Sequence, residues 1–169
     1  MLRAAVFASV GVAFFAHWLI TDPSFEQSTS QSEWRYVLGF SATLLTLALA
    51  LPLFGRMVGG DWVFRWSIAA AAAVILGSVA NIFEDGLRID WFFFVFVFAT
   101  ALISLFLLAL SLAVACTRRR AHKLLGLIPA ATLAGLILYV WAGGPIMLVT
   151  WLVAAATAFA LPARMHQRG

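Results

Sequence analysis

Residues 91–115 read WFFFVFVFATALISLFLLALSLAVA, twenty-five positions without a charge. A helix needs about 20 apolar residues to cross a hydrocarbon core about 30 Å thick, and this run exceeds that. Charged segments bound it on both sides, EDGLRID at 84–90 and CTRRRAHK at 116–123. Working outward, five further apolar runs appear, at 4–20, 36–54, 62–83, 124–142 and 145–162. Each is continuously apolar, whereas a membrane β-barrel would alternate over segments of about 10 residues. In lipid every backbone polar group must be satisfied inside the segment, and a helix does this at these lengths. The expectation is an all-α integral membrane protein, one transmembrane domain over 1–169 built as a six-helix bundle.

Composition agrees. The chain is 64% hydrophobic and 11% charged, against about 25% charged in soluble domains. No loop is long enough to hold a soluble catalytic domain. The first run follows Arg3 and so resembles a secretory signal, but it is long, ends in His17-Trp18 and lacks a small-residue cleavage site, so it is read as a retained span. The single cysteine, Cys116, excludes an internal disulfide and a cysteine-rich metal site. Ten of the eleven basic residues are arginine and alanine is abundant, a composition typical of GC-rich bacterial genomes.

The net charge of +4 and pI near 10.2 would suggest nucleic acid in a soluble protein. With six spans and a cytoplasmic N-terminus, the charges sort instead by side. Arg3, Arg56, Arg65, Arg118, Arg119, Arg120, Lys123, Arg164 and Arg168 fall on one side, Arg35 and Arg88 on the other. That asymmetry is the positive-inside signature and places both termini in the cytoplasm. Trp18, Trp34, Trp91 and Trp141 at one interface, with Trp62 and Trp66 at the other, fit aromatic belts. The expected location is the cell's inner (plasma) membrane, the expected surroundings are the lipid bilayer, and nucleic acid is not expected as a partner.

Two constellations carry chemistry. His17 ends the first span, and Asn81, Glu84 and Asp85 end the third at similar depth. A histidine beside carboxylates can do acid–base work or hold a cation. The competing reading is an ordinary interfacial loop, with Gly86 turning it and Asp90 capping the next helix. Asn81 also continues a small-residue stripe, Ala69, Ala73 and Gly77, that permits close helix approach. Its expected partners are His17, Asp85 or a hydroxyl of the fourth span. The second constellation, Arg118, Arg119, Arg120 and Lys123, suits anionic lipid headgroups. Positive-inside orientation already accounts for it.

The phenylalanines at 92–98 surround their helix as lipid contacts would. The Gly-Gly turns before 61 and 145, each followed by Trp and an Ala-rich run, allow an inverted repeat. No haem, metal or other cofactor is expected. The span centres hold no Asp, Glu, Lys or Arg, where ion-coupled transporters place ionisable groups. The leading expectation is a non-catalytic protein that packs with itself or with a membrane partner. A small-solute transporter or channel subunit, and an intramembrane enzyme using His17, Glu84 and Asp85, are the alternatives.

Overall fold

A computed structural model describes residues 1–20, 30–117 and 123–166. Among these, every regular element is helical. The helices are α1 (Leu2–Ile20), α2 (Ser30–Val58), α3 (Asp61–Asn81), α4 (Phe92–Ala115), α5 (Leu127–Ile137) and α6 (Gly144–His166). Each packs antiparallel against its neighbour in sequence, and α6 closes the ring onto α1. One end of the bundle carries Arg3, Arg56, Arg65 and Lys123; the other carries His17 and the α3–α4 and α5–α6 turns.

Five helices are long and apolar enough to cross a membrane: Leu2–Ile20, Trp34–Val58, Asp61–Gly86, Phe92–Ala115 and Trp141–Ala160. The fifth apolar run is shorter as a helix than as a sequence. A 3-10 turn at Leu124–Gly126 leads into α5, which stops at Ile137 because Leu138 leaves the helical region (φ −91°, ψ 18°). Leu124–Ile137 thus spans roughly 21 Å at 1.5 Å per residue. Pro129 sits in the first turn of α5, where its missing N–H costs no helical bond. Pro52 does not end its helix, since α2 continues through it to Val58. The α4 N-cap is Trp91, with no side-chain cap bond. Backbone bonds from Phe92 to Ile89 and from Phe93 to Asp90 close that turn instead, so the expected Asp90 cap is not used.

The core runs along the ring interior. Phe7 and Phe14 of α1, Leu47, Leu51 and Phe54 of α2, Val74 of α3, Leu107 and Leu110 of α4, and Met147 and Trp151 of α6 are fully or almost fully buried. The outward faces hold large apolar side chains on every helix, among them Leu49, Ile75, Phe94, Leu105 and Phe159. The phenylalanine cluster of α4 divides accordingly, with Phe93, Phe94 and Phe98 more than half exposed.

A glycine marks every seam of the ring. A Cβ on Gly11 would lie 3.0 Å from the Leu148 carbonyl (α1–α6). On Gly39 it would lie 2.7 Å from the His17 ring (α1–α2), and on Gly55 it would strike Ser67 (α2–α3). On Gly77 it would reach Ile103 at 3.2 Å (α3–α4), on Gly126 the Ser111 carbonyl at 2.9 Å (α4 to the turn before α5), and on Gly135 Met147 at 2.8 Å (α5–α6). At Gly77 the small stripe of α3 is therefore spent inside the chain, on α4. These seams differ in how far they can yield. Gly11 abuts backbone, whereas Gly77 faces the flexible end of an isoleucine. Gly11→Ala should lower the detergent melting temperature clearly, and Gly77→Ala much less. Overpacking of this kind costs about 1–3 kcal/mol. Equal melting of the two variants would contradict the close α1–α6 seam.

Candidate functional site

The His17 end of the bundle is built from α1, α2 and the turn joining α5 to α6. His17 lies in the last turn of α1 and is 6% exposed. The Cδ2 edge of its ring lies against the α2 backbone at Gly39, where any larger residue would collide with it. Tyr36, Phe40 and Tyr139 surround it, with ring centroids at 5.2, 5.8 and 5.9 Å. Tyr139 is brought there by a π-turn, Tyr139–Gly143. In that turn the Leu138 carbonyl accepts from the amides of Trp141, Ala142 and Gly143. Gly143 lies against the Gly135 carbonyl and Gly144 against Trp18, so side chains at this pair would push the turn away from α1.

The hydrogen bonds determine the tautomer. Nε2 lies 3.1 Å from the Tyr36 carbonyl, which can only accept, so Nε2 carries a proton. Nδ1 faces the Tyr139 hydroxyl at 2.5 Å. With the imidazole neutral, Nδ1 is the acceptor and Tyr139 donates to it. The Tyr139 hydroxyl has a second acceptor, the Phe14 carbonyl, at 3.4 Å. If the imidazole gains a proton, Nδ1 donates to Tyr139 and Tyr139 donates to Phe14. The geometry thus satisfies both protonation states.

A second polar cluster joins α2 to α3. The hydroxyls of Ser41 and Ser78 donate across the seam to each other's backbone carbonyls, at 3.2 and 3.1 Å. The Asn81 amide donates to Ser41 Oγ at 3.0 Å and to the Val37 carbonyl at 3.2 Å. The Asn81 amide NH2 therefore donates to α2, where the sequence led to His17, Asp85 or a hydroxyl of the fourth span as the expected partner. His17 and Asn81 bond consecutive α2 carbonyls, those of Tyr36 and Val37. Glu84 is partly exposed and Asp85 exposed in the π-turn Ile82–Gly86, which continues α3.

Of the four residues grouped from sequence, the structure thus spreads His17, Asn81 and Asp85 around the first turns of α2. The residues that complete the site, Tyr36, Tyr139, Ser41 and Gly39, were not singled out. One signal was available: the chain has two tyrosines, and both pack on His17. Arg118, Arg119 and Arg120 lie outside the described residues, and Lys123 is exposed at the start of the turn into α5. Among the described residues no three His, Cys, Asp or Glu side chains group to hold a metal ion. Comparison with protein-family profiles, with curated proteins and with solved structures returns no match.

Two measurements check this geometry. Nitrogen NMR of the labelled protein in detergent should find neutral His17 protonated at Nε2, and a proton on Nδ1 in the neutral form would contradict the tautomer. Tyr139→Phe leaves buried Nδ1 without its donor and should destabilise by about 1–3 kcal/mol. Tyr36→Phe should cost less, because the bond to His17 uses the Tyr36 main chain.

Proposed function

We propose that this chain is a non-catalytic multi-pass protein of the inner (plasma) membrane, crossing it six times with both termini in the cytoplasm, and that it works by packing laterally with itself or with another membrane protein. The observation that carries this reading is the outward face of α1. Ala5, Ser9, Val12 and Ala16 are all exposed and share one stripe. Ser9 turns its hydroxyl back to the Val6 carbonyl, which leaves the stripe smooth. The outward faces of α3, α4 and α6 are bulkier, with Ile75, Phe94, Leu105 and Phe159 among their exposed side chains. In lipid, helices associate by close packing of small residues, since burial from water no longer drives them together. The internal polar groups support the same reading. Ser41, Ser78, Ser111, Asn81 and His17 spend hydrogen bonds on joining one helix to another.

Disulfide cross-linking in membranes tests the packing. With Cys116 replaced by Ser, Ser9→Cys should give a cross-linked dimer or a cross-linked partner, while Leu105→Cys on α4 should not. Equal cross-linking at both positions, or none at Ser9→Cys together with monomers by single-molecule photobleaching in bilayers, would defeat the reading. Topology is tested separately. Reporter fusions after Arg120 and Gln167 should report the cytoplasm and a fusion after Ser30 the outside; an outside signal after Arg120 would defeat six crossings.

A second reading, acid–base chemistry at the outer end, is favoured by one observation. The Tyr139 hydroxyl has two acceptors, so His17 can take up a proton with no group left unpaired. This reading requires that His17→Gln abolish an activity while the bundle still melts cooperatively. The packing reading requires that the same variant change only stability.

A further inference from the structure

At the basic end of the bundle the α2–α3 turn, the first turns of α3 and the last turns of α4 stand apart. The groove between them has a volume of about 1090 Å³. Above Gly59 and Gly60, which make the turn with positive φ, a Cβ would meet nothing within 4 Å. Val63 and Ala109 belong to its apolar lining, and Leu112, 66% exposed, opens it toward lipid.

The polar part of the lining is small and specific. Among the described residues its lining carries one formal charge, the carboxylate of Asp61, and no lysine or arginine. Trp62 and Trp66, one turn apart on α3, stack at 6.3 Å and offer indole faces. Thr117 adds a hydroxyl whose oxygen is buried and has no hydrogen-bond partner among the described residues. A cation stands beside it: the Arg65 guanidinium lies 5.8 Å from the Trp62 ring.

This order of charges selects among ligands. An anionic headgroup would meet Asp61 as a like charge. An ammonium is attracted both by a carboxylate and by indole faces. The phosphate, two carbons from that ammonium, would turn to Arg65 and the Thr117 hydroxyl, and a hydrocarbon tail would follow the apolar wall of α4. The groove also sits at the membrane boundary, where a tryptophan pair and a flanking arginine are at home. From this we propose that the groove seats a phospholipid with an ethanolamine headgroup, its ammonium on Asp61 and the tryptophans and one acyl chain along α4.

Native mass spectrometry of the full chain released from detergent, with phosphatidylethanolamine, phosphatidylglycerol and phosphatidylcholine of matched acyl chains, tests the proposal. Phosphatidylethanolamine should be retained over phosphatidylglycerol by about 5–10-fold, the scale of one exposed ion pair plus a cation–π contact, and over phosphatidylcholine by about 2–5-fold, the scale of a net hydrogen bond to Asp61. Phosphatidylcholine keeps the positive charge but lacks N–H donors, and phosphatidylglycerol lacks the cation. Asp61→Asn should erase the preference, and Thr117→Val should lower retention of all three lipids. Thermal melting of each variant guards against misfolding, and Asp61→Glu should keep the preference if Asp61→Asn fails to fold. Equal retention of the three lipids would mean annular lipid only. A preference for phosphatidylglycerol would mean that the basic cluster, not the groove, selects the lipid. A wild-type preference in Asp61→Asn would place the site elsewhere. Each of these results overturns the proposal.

Discussion

Lipid gives helices no hydrophobic reason to associate, because the tails are as apolar as leucine. What remains is close packing and the bonding of polar groups that hydrocarbon cannot solvate. Every other feature of this bundle depends on meeting that constraint. The ring closes because a glycine at each of its six seams lets two helices approach within contact of the facing chain. At Gly11 the facing atoms are backbone, so α1 and α6 meet main chain to main chain. The order of the helices in the ring follows from short connections and antiparallel packing, and the last seam is the one the connections do not enforce. Gly11, Gly144 and the Phe7–Trp151 contact hold that seam.

The polar groups are distributed by the same logic. Ser41, Ser78 and Asn81 form a clasp between α2 and α3, each bond of which adds about half a kcal/mol in a membrane. His17 does the corresponding work between α1, α2 and the α5–α6 turn. It differs from the serine clasp in one respect. An imidazole can change its charge, and the two acceptors of Tyr139 let it do so without an orphaned group. The π-turn that presents Tyr139 also shortens α5. The helix too short to match the other spans and the aromatic box around His17 therefore share one cause, the break at Leu138.

Much of the fold could be read from the chain because lipid permits few solutions. Uninterrupted apolar runs must be helices, and their lengths and flanking charges give their number and ends. The runs at 36–54 and 62–83 became helices of nearly the expected extent, with α2 lengthened at both ends. The fifth run did not keep its full length, because hydropathy scores Leu138–Ala142 as apolar whether the backbone is α-helical or a π-turn. The small stripe of α3 was visible, but its occupant was not: the facing residues are Ile103 and Ala99 of the same chain.

The sequence by itself pointed to apolar surroundings for most of the chain, to the helical class, to a basic end, and to a partner for Asn81. Those follow from composition and from the cost of unpaired polar groups in hydrocarbon, which are local properties. Tertiary structure alone decided who the partners are. His17 and Asn81 stand sixty-four positions apart and meet neighbouring carbonyls of a third helix, Tyr36 and Val37. Tyr139 comes from more than a hundred residues away to complete the histidine's bonds. Periodicity places a residue on a face of its own helix; which helix covers that face, and at what register, depends on how closely the backbones approach, and that is set by the glycines of all six seams together.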